Sequence, residues 1–174
     1  ALEAGVYGVT PSAGPNGSIS PNTLQTVKHG ETTSFTVTPN TGYRIASVTG
    51  CGGSLSGNTY TTGAITVDCT VSATFTIITY TVTPSAGAGG SITPNTAQTV
   101  NHGAATSFTV TPNTGYRIAS VSGCGGTLNG ATYTTGPITA DCMVSAAFAI
   151  LTHAITPTAG ANGSITPNTP QTVN

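Results

Sequence analysis

The chain repeats itself, and that constrains its fold more than any other feature. Residues 7–79 align without a gap on residues 80–152, so that His29, Phe35, Tyr43, Cys51 and Cys69 recur as His102, Phe108, Tyr116, Cys124 and Cys142. The spacing is 73 positions throughout, and 55 of those 73 are identical between the two copies. A third copy opens at His153 and runs to Asn174, with 16 of its 22 residues matching residues 80–101. Self-similarity at a fixed period means one supersecondary unit used several times, each with its own small core. The expected organisation is a lead-in over residues 1–6, one module over 7–79, a second over 80–152, and over 153–174 the first strands of a third.

Within one module the patterning is that of an all-β chain. Apolar residues alternate, Gly and Pro recur every few positions, and Thr, Val and Ile dominate, which disfavours helix and suits half-buried strands. Ser34 to Thr38 places Phe35 and Val37 on one strand face and three hydroxyls on the other. Val71, Ala73, Phe75 and Ile77 alternate in the same way with Ser72, Thr74 and Thr76. Tyr43, Ile45 and Val48 break alternation by one position, predicting a bulge near Ala46 or Ser47. Shorter strands are expected near Val6 to Thr10, Ser18 to Ser20, Leu24 to Lys28, Thr59 to Thr61 and Ala64 to Val67. Pro39-Asn40-Thr41-Gly42 reads as a tight connection between adjacent strands, His29-Gly30 as a hairpin tip, and Ala13 to Gly17 as a looser link. Phe75 to Thr79 runs straight into Tyr80-Thr81-Val82 with no flexible residue between, so stacked units are expected to form a stiff rod.

Residues 7–79 contain 18 side chains of the Val, Ile, Leu, Phe, Tyr or Met type, a thin core for a unit of this length. Cysteine supplies the remedy. The four cysteines fall as one pair per module, Cys51 with Cys69 and Cys124 with Cys142, each enclosing a Gly- and Thr-rich segment. Four cysteines permit three connectivities, and recurrence of a pair inside each repeat favours bonding within the module. Closing such a loop stabilises a fold by about 3 kcal/mol in the chain-entropy model. Disulfides persist in oxidising compartments, so an extracellular or cell-surface location is expected.

Charge excludes several functions. Only Lys28, Arg44, Arg117, Glu3, Glu31, Asp68 and Asp141 are formally charged, where an average domain would carry roughly a quarter of its residues as charges. No basic patch serves nucleic acid and no acidic run buffers metal. No apolar stretch approaches the roughly 18 residues of a membrane span, so no membrane insertion is expected. Thr and Ser together number 52, leaving a surface of neutral hydroxyls that suits a secreted protein, either glycosylated or packed against copies of itself.

The order Tyr7-x-Val9, Gly17-Ser18, His29-Gly30, Phe35-Thr36-Val37-Thr38-Pro39, Gly42-Tyr43-Arg44-Ile45 and Val71-Ser72-Ala73-Thr74-Phe75 resembles the divergent internalin-B-type B-repeat of bacterial surface proteins. The same order runs through the second copy and begins again at His153. Members of that family usually carry a Trp in the region where Ala46-Ser47-Val48 stands, and this chain has none. The resemblance implies a small β-grasp-like module, extracellular display on a bacterium, tandem use as spacer or adhesin stalk, and no catalytic centre. A sandwich-like packing of the same strands is the companion expectation.

Candidate sites are few. Each module holds one His, one Arg and one Asp, far apart in sequence, so no catalytic set, cofactor site or metal site is expected, and His29 and His102 read as turn residues. Arg44 and Asp68 are the charges retained as Arg117 and Asp141, and they read as an ion pair or a backbone-bonded pair beside the cysteine. Tyr60 and Tyr133 read as rings covering the disulfide loop with wet hydroxyls, the alternative being sugar-stacking residues. In the partial copy Ile155, Ile165 and Val173 lack partners, which suggests strand addition to a neighbouring molecule and a head-to-tail homopolymer. The expected function is a non-catalytic filament subunit or stalk; the alternative is an adhesin whose loops, chiefly the Cys51 to Cys69 segment, grip glycan or a surface protein.

Overall fold

Alternation of Ser or Thr with Phe, Val or Ile builds strands whose apolar face must find a second layer. The computed structural model, which describes residues 5–174, supplies that layer within each module. The first module forms β1 (Val6–Ala13), β2 (Gly17–Ser20), β3 (Gln25–Lys28), β4 (Ser34–Pro39), β5 (Tyr43–Thr49), β6 (Ser54–Ser56), β7 (Thr59–Thr61) and β8 (Cys69–Ile77). One sheet has the order β3-β1-β8-β5 and the other β2-β4-β7-β6. The first is mixed, because β1 runs parallel to β8 while β3 and β5 run antiparallel to their neighbours. The second is wholly antiparallel.

The core lies between the two sheets. Val9, Val27, Val71 and Ala73 project from the mixed sheet onto Ile19, Phe35, Val37 and Tyr60 of the antiparallel one, with Ile65 closing the end. The module is therefore sandwich-like. Among the described residues no helix forms, so the sheet-plus-helix packing of a β-grasp is replaced by sheet on sheet.

Residues 79–150 repeat the plan as β9 (Thr79–Ala86), β10 (Gly90–Thr93), β11 (Gln98–Asn101), β12 (Ser107–Pro112), β13 (Tyr116–Ser122), β14 (Thr127–Asn129), β15 (Thr132–Thr134) and β16 (Cys142–Ile150). The sheet orders are β11-β9-β16-β13 and β10-β12-β15-β14. Val82, Phe108, Val110, Tyr133 and Val144 occupy the equivalent core. In the third copy β17 (His153–Ile155) pairs antiparallel with β18 (Gln171–Val173). His153 opposite Val173 reproduces the register of Tyr7 opposite Val27.

Several local expectations meet their outcome here. The bulge is present: pairing of β5 with β8 slips between Ile45 and Ser47, and β13 slips at the equivalent place. His29-Gly30 is not a hairpin tip, because β3 and β4 belong to different sheets. The turn carries the chain round the corner of the sandwich, with Glu31 N–H donating to Lys28 O and Gly30 at φ +83°. Asn40 to Tyr43 turns a second corner, with Gly42 at φ +81°. A positive φ at the third turn position is what a type II turn demands and what Gly supplies. Ala64 to Val67 forms no strand. Ile65 is buried because its backbone bonds to Gly30 and Glu31, while Val67 stands 62% exposed.

Candidate functional site

The most constrained part of each module is the corner that carries its disulfide. A Gly-Cys-Gly-Gly run can reverse the chain in two residues, since three glycines tolerate conformations closed to other side chains. Gly53 N–H donates to Gly50 O at 3.2 Å, and both central residues, Cys51 and Gly52, have positive φ, which is a type I′ turn. Cys51 reaches Cys69 at the start of β8, with Cα atoms 5.6 Å apart, and Cys124 bonds Cys142 in the same way. The bridges are thus one per module, and no free cysteine remains among the described residues.

Behind the turn sits Tyr60, 2% exposed, whose hydroxyl donates to Gly50 O at 2.6 Å. Tyr133 does the same to Gly123 O. The ring does cover the disulfide loop, but its hydroxyl is engaged rather than wet, and a ring so buried cannot stack on a sugar. Gly50 itself admits no side chain: a Cβ there would lie 1.9 Å from Thr70 O. Thr62 completes the corner, buried, with its Oγ1 accepting from Thr33 N–H and its own N–H donating to Thr33 O. Outside the bridge an open groove of about 450 Å³ runs along Cys51, Gly52, Ala64, Ile65, Val67 and Cys69. Its counterpart in the second module measures about 310 Å³, with Pro137 and Ala140 in place of Ala64 and Val67.

The retained charges do not meet. Asp68 precedes the first residue of β8, whereas Arg44 lies opposite Thr76 near its end. Eight residues of strand separate the two levels, about 26 Å at the usual rise. Asp68 Oδ1 instead accepts Gly8 N–H at 2.7 Å, and Asp141 Oδ1 accepts Thr81 N–H at 2.8 Å. Of the two readings of this pair, the aspartates take the backbone-bonded one, pinning β1 to β8 beside the bridge; Arg117, opposite Ala149, is equally remote from Asp141. His29 packs its ring on Tyr7, centroids 5.8 Å apart, and His102 packs on Tyr80 at 5.9 Å. Among the described residues no group of three His, Cys, Asp or Glu gathers closely enough to hold a metal ion.

Ile155, Ile165 and Val173 are the positional equivalents of Val9, Ile19 and Val27. The latter are 0%, 5% and 6% exposed, the former 56%, 44% and 39%. Core positions of a module are therefore open to solvent in the partial copy. The residues that sequence reasoning missed are Gly50, Gly53 and Thr62 with their second-copy counterparts; the Gly-Cys-Gly-Gly run was the available signal for the first two, and Thr62 had none.

Together these features define a class: a tandem array of small disulfide-bonded β-sandwich modules. A family model for the divergent InlB B-repeat domain matches the chain twice, over residues 7–79 and 80–151. The chain belongs to that family, a repeat family of bacterial surface proteins. Comparison with curated proteins and with solved structures found no match.

Proposed function

We propose that the chain is a non-catalytic structural repeat of the bacterial exterior, serving as a filament subunit or a stalk. The observation that carries this reading is the junction between modules. Strand β8 ends at Ile77 and β9 begins at Thr79, so one residue, Ile78, separates two folded units. Linkers that permit free motion are longer and richer in Gly and Ser. Intramodular bridges support placement outside the cytoplasm, where they would persist.

Assembly is the finer part of the proposal. The partial copy lacks the strands equivalent to β4 and β8 that cover Val9, Ile19 and Val27 in a whole module, and a second copy could supply them by strand addition. Further repeat sequence downstream in the same protein would complete it equally well. Electron microscopy of the chain and of a version lacking residues 153–174 separates the two. Filaments with a regular axial repeat that vanish on deletion support head-to-tail assembly, whereas filaments of unchanged length and abundance overturn it.

The second reading is an adhesin. It is favoured by the groove beside each bridge, which recurs at equivalent positions in both modules. Glycan-array binding lost on substitution of Val67 and Ala140 would place function there.

A further inference from the structure

Three Asn-Gly pairs occur in the chain, at residues 16–17, 129–130 and 162–163. Asn16 and Asn162 occupy the same position in different copies, and both hold positive φ, +71° and +66°. Such a pair can react with itself. The glycine amide nitrogen, unhindered by a Cβ of its own residue, attacks the asparagine Cγ; the Cγ–Nδ2 bond breaks and Nδ2 leaves as ammonia, carrying the amide proton. Water then opens the cyclic imide on one side to aspartate or on the other to isoaspartate. To reach this geometry the asparagine rotates about ψ, which swings its own carbonyl and the glycine nitrogen together.

The surroundings of the two pairs differ. The Asn16 carbonyl accepts Asn40 N–H at 2.9 Å, and Gly17 is paired with Pro39 as the first residue of β2. The Phe75 ring lies so close on Gly17 that no Cβ would fit there. Rotation at Asn16 must break that hydrogen bond and part the glycine from the ring. The partial copy lacks the strands equivalent to β4 and β8, and with them the counterparts of Pro39, Asn40 and Phe75. Residues 163–166 form no strand, Asn162 and Gly163 are exposed, and nothing stands within 4 Å of where a Cβ at Gly163 would lie. Asn129 is exposed as well, but it is held in a ladder pair with Thr132.

We propose that Asn162 is a spontaneous deamidation site, open while its copy is incomplete and closed once the missing strands are supplied, whereas Asn16 is shielded throughout. The reaction consumes water alone. Each event adds a negative charge to a chain of formal net charge −1, and isoaspartate lengthens the main chain at the corner where the copy would close. The modification therefore marks copies left open. It rests on the exposed state of the partial copy and not on whether a second molecule or further repeat sequence completes it.

The test incubates the whole chain in mildly alkaline buffer, at a concentration where it runs as a monomer. Peptide mapping follows each asparagine and separates amide, aspartate and isoaspartate. Asn162 is expected to convert at least about tenfold faster than Asn16, because ordered local structure must open before the reaction can proceed. In urea with the bridges reduced, the two rates should converge. In a chain extended after Asn174 by a second copy of residues 102–152, which completes the third module, Asn162 should slow to the rate of Asn16. Circular dichroism and intact mass establish that the extended chain is folded and bridged; should it fail to fold, Phe75→Ala in the parent chain replaces it, and Asn16 should then react faster. Equal rates in the native parent overturn the proposal. So does a difference that survives in urea, which would trace it to the preceding residues Pro15 and Ala161. An undiminished rate at Asn162 in the folded extended chain, or an unchanged rate at Asn16 in the Phe75→Ala variant, overturns it too.

Discussion

Tyr60 shows how one atom organises a thin core. Its ring fills the space between the sheets, and its hydroxyl reaches the carbonyl of Gly50, which also accepts the Gly53 amide. Tyr60→Phe keeps the packing and leaves that carbonyl one partner, so the loss is a single buried neutral hydrogen bond, about 1 kcal/mol. Urea unfolding should show the midpoint falling by that energy divided by the slope, with the slope itself unchanged, and Tyr133→Phe should behave alike. Position 50 works by exclusion: its φ of +118° and the nearness of Thr70 O together leave glycine as the residue that fits. Position 16 is the opposite case. Asn16 has φ +71°, and its counterparts Gly89 and Asn162 have φ +95° and +66°, so the loop varies in sequence only among residues that tolerate positive φ.

At the scale of the element, the bridge and the aspartate bond both act on β8 where it begins, as their counterparts do on β16. Cys69 ties it to the turn at Cys51, and Asp68 ties it to β1 through Gly8. Replacing Cys51 and Cys69 together by Ala releases a loop of sequence separation 18, which in the chain-entropy model costs about 3 kcal/mol. The denaturant midpoint of the first module should fall accordingly while circular dichroism in buffer keeps its strand signal. Much of this element plan was legible beforehand. Phe35 and Val37 announced their face by alternation, and the misplaced spacing of Tyr43, Ile45 and Val48 announced the bulge. Period-two patterning reports which face of a strand is apolar but not which sheet the strand joins, so the corner at His29 looked like a hairpin tip and the one at Asn40 like a tight connection between adjacent strands. Ile65 and Val67 looked equivalent in sequence, and only the backbone bonds from residues 30 and 31 bury one and leave the other exposed. The short hairpin of β6 and β7 carried a signal, Gly57-Asn58 between two alternating triplets, with Gly57 at φ +58° as a type II′ turn requires. Arg44 and Asp68 stood out by their retention, but their separation along β8 is a property of register that composition does not carry.

For the whole molecule, repetition is the governing fact: the same core, the same bridge and the same corner turns are made twice, and β17 with β18 begin them again. A protein assembled this way stands or falls on each module closing its own core with its own sulfur bridge. Peptide mapping of the unreduced protein by mass spectrometry tests that most directly. Peptides holding Cys51 linked to Cys69 and Cys124 linked to Cys142, with no free thiol, are the predicted result. Any cross-link between a cysteine of residues 7–79 and one of residues 80–152, or a pair left reduced in secreted material, would contradict the account.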